Sequence, residues 1–265
     1  MSNKLLSPQQ CDLLTMAVER SPLIMKDAPS IPTRLTALYN TDKQKCLGIV
    51  PSEKEMPTHL EAVERLESAF SDLGITGTVT DLRLLKDSSV FYLHCRLTEP
   101  EIDCSTEKKP CIITPEIILR NGFNGVVLFG LEFGIAIAPE AFHCRISTEP
   151  KAVEPYLRTF PNFVARIREF AASGIERLAN QIQIMQECHP EDLTDFDHLT
   201  AYTRKRWSNL MLSEYYQGAH GTVTAWDRFL LILHILSKRE GYTKRRDYEL
   251  QMSRCFRLIW ALQLQ

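Results

Sequence analysis

The hydrophobic period of this chain changes twice, and those changes limit what it can fold into. From about residue 58 to residue 73, apolar side chains recur every three or four positions, the repeat of one helical face. From Ile75 to Ile146 they fall in short strand-like runs separated by polar turns. From about Pro161 onward the helical repeat returns. Helix, strands and then helices predict an α+β fold: a small, mostly antiparallel sheet with an N-terminal helical part and a C-terminal helical region.

Local signals mark the elements. Ser7-Pro8-Gln9-Gln10 reads as a helix start, with Ser7 as cap, Pro8 at the first helical position and Gln10 reaching back in a capping box. That helix is expected to run to about Arg20, where Ser21-Pro22 stops it. Residues 22–45, with Pro22, Pro29 and Pro32, read as extended and irregular, and a strand follows over Cys46–Val50. Thr58 and Glu61 form a second capping box. The helix behind it presents Leu60, Val63, Leu66, Phe70 and Leu73 on one face and ends at Gly74 in the left-handed conformation.

Strands are expected over Ile75–Leu85 and Val90–Leu97, with Lys86-Asp87-Ser88-Ser89 as the hairpin turn. Two more, Cys111–Leu119 and Val126–Ala138, join through Asn121-Gly122-Phe123-Asn124-Gly125, whose Asn and Gly tolerate positive φ. A last strand is expected over Ala141–Ile146. The stripe Val164, Ile167, Ala171, Ile175, Leu178, Ile182 and Met185 predicts a helix over Pro161–Gln186 and reads as core or partner-helix packing. After an acidic loop (Glu191, Asp192, Asp195, Asp197), helices around 198–216, 224–238 and 245–263 close the chain, with Gly241 breaking the last pair. The organisation is a helix-plus-sheet part over residues 1–150 and a helical part over 151–265 packed on it, as two domains or one.

Composition narrows the function classes. With 265 residues, 44% apolar and 24% charged, the chain has a globular balance, which excludes disorder and collagen-like repeats. A formal net charge of −2 excludes a global polycation that binds nucleic acid indiscriminately. No apolar run approaches the ~18 residues of a membrane span, and MSNKLLSPQQ lacks the apolar core of a secretory signal. A cytoplasmic protein without membrane contact is the expectation. The eight cysteines (Cys11, Cys46, Cys95, Cys104, Cys111, Cys144, Cys188 and Cys255) contain no Cys-x-x-Cys pair and read as reduced thiols, mostly in the core. Three neighbour a histidine (His94-Cys95, His143-Cys144, Cys188-His189), but adjacent strand residues point to opposite faces, so no metal and no cofactor is expected.

The common chemical signatures are missing: no phosphate-binding glycine loop, no Gly-x-Ser-x-Gly and no His-Glu-x-x-His. Glu116, Glu132 and Glu140 lie in or beside the strands and are candidates for a general acid, although a strand carboxylate reads first as solvated surface. Asp227 and His234, seven apart on one helix face, form either a charged pair or a packing contact. Charge distribution says more. Residues 201–265 hold 11 basic and 5 acidic side chains, net +6, which leaves 20 basic and 28 acidic in residues 1–200, net −8. Within that basic quarter, Arg204-Lys205-Arg206-Trp207 and Lys244-Arg245-Arg246, the latter flanked by Tyr242 and Tyr248, combine cations that neutralise phosphates with rings that stack on unpaired bases. Each cluster also fits the solvated face of a helix.

Several segments resemble a family of phage-, prophage- and plasmid-encoded proteins of unknown function, the phage/plasmid-like family. Leu47-Gly48-Ile49-Val50 followed by the helix with Glu61-Ala62 is similar to its opening strand and helix. Pro115-Glu116-Ile117-Ile118-Leu119-Arg120-Asn121, with Gly125 following, is similar to its strand and Asn-centred hairpin. Thr224-Ala225-Trp226-Asp227 entering an apolar helix resembles its C-terminal Thr-x-Trp helix, so the likeness runs from about residue 46 to 262. The family's strand ending in Cys-Asn-Gly is matched here only by Phe142-His143-Cys144-Arg145-Ile146. The resemblance implies a mobile-element context and no particular chemistry.

Three function classes follow. The first is a non-enzymatic mobile-element protein that binds nucleic acid, single strands included, with Arg204, Lys205, Arg206, Lys244, Arg245 and Arg246 on phosphates and Trp207 and Tyr242 stacking. The second is a protein-interaction module, an adaptor or an inhibitor of a host defence protein, whose acidic body meets a host or phage partner. The third is a hydrolase or nuclease, which requires at least three carboxylate, His or Cys side chains converging in one cleft.

Overall fold

The computed structural model describes residues 4–25, 28–53, 56–105, 111–124, 129–138, 142–145, 160–189, 209–219 and 224–237. The chain forms two compact units, each assembled from separate stretches. One comprises Met1–Glu99, Glu116–Glu132 and Val153–Phe170, and the other comprises Pro100–Pro115, Phe133–Ala152 and Ala171–Gln265. Antiparallel sheets and helices make it an α+β protein. No described helix is long and apolar enough to cross a membrane.

The first unit opens with α1, Pro8–Leu14. Its capping box is complete: Gln10 N–H donates to the Ser7 hydroxyl at 3.3 Å, and Ser7 N–H donates to Gln10 Oε1 at 2.9 Å. The helix does not reach Arg20. It stops at Thr15, which is extended, and the chain enters β1, Val18–Met25. Nor are residues 22–45 irregular: β2 spans Ala28–Asn40 and lies between β1 and β3, Lys45–Pro51, in an antiparallel three-stranded sheet. Pro22 is tolerated because β1 is an edge strand.

One face of this sheet buries Leu38, Leu47 and Val50 against Phe123, with Met16, Val18 and Met56 packed around them. Each fully buried aliphatic or aromatic side chain contributes about 1.5–3 kcal/mol. Strand β3 runs so close to the Phe123-Asn124 backbone that a Cβ on Gly48 would lie 1.9 Å from the Phe123 carbonyl oxygen.

Helix α2, His59–Leu73, has the expected capping box, Thr58 with Glu61, and the expected left-handed end at Gly74 (φ 66°, ψ 23°). Its buried face is His59, Ala62, Val63, Leu66, Ala69 and Phe70. Leu60 and Leu73 are only half-buried, so the stripe is rotated toward the two alanines and the histidine. Strands β4, Gly77–Leu85, and β5, Val90–Leu97, pair antiparallel. Between them Lys86, Asp87 and Ser88 turn with φ of 50°, 57° and 70°, three successive left-handed residues without a glycine.

Strand β7, Ile112–Gly122, pairs with β5 through its Glu116–Gly122 portion. In this unit β4, β5, that portion of β7 and Gly130–Glu132, the start of β8 (Gly130–Ala138), are neighbours in that order. The polar segment expected to be a turn is therefore partly strand: Asn121 and Gly122 continue β7, and among the described residues neither has positive φ.

In the second unit β6, Ile102–Asp103, pairs with the start of β7, and the end of β8 pairs with β9, Phe142–Arg145. The expected helix over 161–186 is α3, Phe160–Glu169, which belongs to the first unit, then a π turn over Phe170–Gly174, and α4, Ile175–Glu187, which belongs to the second. Ile175, Leu178, Ile182 and Met185 of the stripe are buried. Two further helices are α5, Asn209–Ala219, and α6, Ala225–Ser237. Helix α6 packs on α4 and α5, and it buries Trp226, Phe229 and Ile235. A Cβ on Gly218 would come within 2.7 Å of Leu231, so α5 and α6 meet closely there. The helix expected around 245–263, the acidic loop and Gly241 lie outside the described residues.

Candidate functional site

The basic and aromatic residues singled out for nucleic acid, Arg204, Lys205, Arg206, Trp207, Tyr242, Lys244, Arg245 and Arg246, all lie outside the described residues. The described chemistry-bearing side chains form three buried groups instead, all in the first unit.

The first group crosses the β4-β5-β7 sheet. Register places Ile118 opposite His94 and Glu116 opposite Arg96, so His94 and Glu116 share a face as diagonal neighbours. His94 Nδ1 lies 3.2 Å from Glu116 Oε2, and the two side chains are 2% and 0% exposed. The pairing of β4 with β5 skips Thr80, which sits at a bulge. Thr80 Oγ1 reaches Glu116 Oε1 at 3.2 Å and the His94 carbonyl at 3.3 Å. The adjacent Cys95 thiol is pushed up to about 12, first by burial and then by the Glu116 charge, so it stays protonated and is a poor nucleophile.

The second group is the ion pair Arg120 Nη1–Glu132 Oε1 at 2.7 Å, with the carboxylate 1% exposed. Nearby, the Arg65 guanidinium lies 5.8 Å from the centre of the Phe129 ring. Glu116 and Glu132 are therefore not solvated strand carboxylates. Both are buried and bonded, and Glu140 lies outside the described residues.

The third group surrounds His59, the first residue of α2. Its Nε2 lies 2.8 Å from the Ser88 carbonyl, and its Nδ1 lies 3.2 Å from the Asn121 amide nitrogen. That same Asn121 nitrogen donates to the Pro57 carbonyl at 2.7 Å. The imidazole stacks on Phe91 and Phe123, with centroids 5.3 and 4.5 Å away. Burial lowers the His59 pKa to about 4, against a smaller upward pull from the Ser88 carbonyl bond, so the ring is neutral at pH 7. Sequence reasoning missed this group. The signal available was a histidine just inside a capping box, followed at helical spacing by buried Ala62, Val63 and Leu66.

Two other expectations concern the helix pair Asp227 and His234 and the cysteines. Asp227 closes a capping box at the start of α6: its carboxylate accepts from Thr224 N–H at 3.1 Å, and its own N–H donates to the Thr224 hydroxyl at 3.1 Å. His234 is exposed further along the helix. Cys11, Cys46, Cys95, Cys104, Cys111 and Cys188 are free thiols. Burial, with smaller contributions from Cys111 and Asp103, pushes Cys104 up to about 12. Among the described residues no group of three or more His, Cys, Asp or Glu side chains is arranged to hold a metal ion.

What these groups do chemically is hold strands, turn and helix together. His94, Glu116, Glu132 and His59 direct their polar atoms at neighbouring protein groups. Compared with protein-family models, with curated proteins and with solved structures, the chain shows no match.

Proposed function

We propose that this protein is a non-enzymatic accessory protein of a phage, prophage or plasmid that binds nucleic acid through its C-terminal quarter. The observation that carries this reading is charge segregation: net +6 over residues 201–265 against net −8 over residues 1–200. Arg204, Lys205, Arg206, Lys244, Arg245 and Arg246 neutralise phosphates, and Trp207 and Tyr242 stack on unpaired bases. The acidic remainder of the chain opposes binding elsewhere and confines contact to the basic segment. The burial of the body's candidate acids supports a scaffold role for it, because Glu116 and Glu132 are engaged within the fold.

The test is affinity for a single-stranded oligonucleotide as a function of salt. Engaging all six cations gives a slope of log K against log salt of roughly −4, at about −0.7 per phosphate on single strands. Replacing Lys244, Arg245 and Arg246 with alanine halves that slope and weakens binding regardless of sequence. A salt-insensitive interaction, or none, removes this reading.

One observation favours a second reading, a protein-interaction module. The face of the β1-β2-β3 sheet opposite Leu38 and Val50 carries the cross-strand pairs Leu35–Pro51 and Ala37–Ile49. Leu35 is 43% exposed and Ile49 50%. Apolar side chains grouped on an exposed sheet face suit contact with another protein. A host or phage protein that co-purifies in fixed ratio without nucleic acid, and is lost on Ile49→Lys substitution, supports this reading over the first.

A further inference from the structure

The His59 group has a directionality that a purely packed histidine does not need. The Ser88 carbonyl only accepts, so Nε2 carries the proton, and Nδ1 must present a lone pair to the Asn121 amide. Both amide hydrogens of Asn121 are then committed, one to His59 and one to the Pro57 carbonyl. A proton added at Nδ1 faces an N–H donor. Rotating the Asn121 amide to offer its oxygen to the ring turns the nitrogen away from Pro57 and breaks that bond. The neutral arrangement is the one the surroundings accommodate.

What His59 holds is a segment under strain. Lys86, Asp87 and Ser88 are all left-handed, a conformation that side chains with a Cβ disfavour. The turn is fixed from inside by the His59 bond to the Ser88 carbonyl. Its Ser89 carbonyl in turn accepts from Phe123 N–H at 2.8 Å. Phe123 also stacks on the imidazole and fills the core beneath β3. One ring therefore joins the start of α2, the β4-β5 turn and the end of β7.

We propose that His59 is a proton-operated latch: neutral, it pins the Lys86–Ser89 turn and the Phe123 segment to the start of α2, and protonation at Nδ1 releases both.

The charged groups on the surrounding elements do not stabilise an imidazolium. On the turn, Asp87 is engaged by Lys45, with Lys43 beside it, and its carboxyl is held below the usual range by that pair; Lys86 is exposed. On α2, the Glu61 carboxylate accepts from Thr58 N–H. On β7, Arg120 is paired with Glu132. On β5, His59 meets Phe91. The positive end of the α2 dipole also disfavours a cation at its first residue. The sign follows from the direction of the shift. An open form titrates near the ordinary 6.5 and the closed form near 4, so acid favours the open form progressively between those values. On those values the opening equilibrium rises ~60-fold between pH 7 and pH 4.5. The latch operates whether or not the C-terminal quarter binds nucleic acid.

Amide hydrogen exchange on the full chain at the two pH values, corrected for intrinsic rates, tests it. The expected result is protection falling by tens of fold at Ser89 and Phe123 while the α2 amides from Val63 to Phe70 hold, and no such fall in His59→Gln. The glutamine amide of that variant keeps a donor for the Ser88 carbonyl and an acceptor for Asn121 but takes no proton. Unchanged protection, an equal fall in the variant, or loss across α2 at the same time overturns the proposal. An NMR titration of His59 in the unaltered chain gives a second answer that needs no variant: a midpoint near 4 supports the latch, and one near 6.5 overturns it.

Discussion

Gly48 provides a quantitative test of the packing in the first unit. A methyl group there would stand 1.9 Å from the Phe123 carbonyl oxygen, 2.6 Å from Asn124 Cα and 2.7 Å from the Phe123 carbonyl carbon. A comfortable carbon–oxygen approach is roughly 3.3 Å, so β3 and the Phe123 segment must separate by about 1.4 Å, and all three obstacles are backbone atoms that no rotamer change can move. Separation pulls Phe123 from Leu38, Leu47 and Val50 and from the His59 ring, 4.5 Å away. Overpacking typically costs about 1–3 kcal/mol, and a rigid obstacle places Gly48→Ala at the upper end, near 3 kcal/mol. At roughly 2–4 °C per kcal/mol for a chain of this size, Tm should fall by about 6–12 °C. Gly74→Ala is the control. Nothing lies within 4 Å of a Cβ there, and only its φ of 66° is unfavourable, so it should cost about 1 kcal/mol. Thermal unfolding followed by circular dichroism compares the two. If Gly48→Ala is no worse than Gly74→Ala, β3 does not lie against Phe123 in this way.

Other consequences are smaller in scope. Glu116→Ala removes the carboxylate bonded to buried His94 Nδ1, a loss of about 3–5 kcal/mol, whereas Glu116→Gln keeps an oxygen acceptor at that place and should lose less than half of that in denaturant titration. Thr224→Ala removes the cap of α6 and should cost about 1 kcal/mol, while Thr224→Ser should be nearly neutral. In native protein at pH 8, alkylation with mass-spectrometric readout should modify exposed Cys46 quickly and leave Cys95 and Cys104 unmodified, since burial keeps both thiols protonated. Rapid labelling of Cys95 would contradict its place in the sheet.

What is legible in the sequence is what local chemistry decides. The boxes at Ser7–Gln10 and Thr58–Glu61, the Gly74 terminus and the Lys86–Ser89 turn depend on neighbours within a few residues, and all four form as read. The end of α1 is not legible in this way, because Val18–Pro22 finds its partners 14 to 22 residues away, at Thr36–Asn40. The three prolines conceal a sheet: Pro22 lies on the edge strand β1, and Pro29 and Pro32 lie in the part of β2 before Leu35, which pairs with β1 and not with β3. Asn121-Gly122 has the composition of a turn, yet Asn121 stays in the strand because its amide meets Pro57 and His59, 64 and 62 residues earlier. Glu116 reads as surface for the same reason: its partners, Thr80 and His94, lie on two other strands, and strand alternation alone cannot reveal that both faces of β7 are covered. The basic C-terminal clusters are legible only as charge and aromatic content, which points to a class of partner and not to a geometry.

Nucleic-acid binding by the C-terminal quarter is decided by purifying the protein with and without nuclease at two salt concentrations and recording the 260/280 absorbance ratio. The expected result is a raised ratio that nuclease or high salt returns to that of protein alone, and no elevation when Arg204, Lys205, Arg206, Lys244, Arg245 and Arg246 are replaced with alanine. A protein-like ratio at low salt without nuclease, or a raised ratio that the six substitutions leave unchanged, contradicts it.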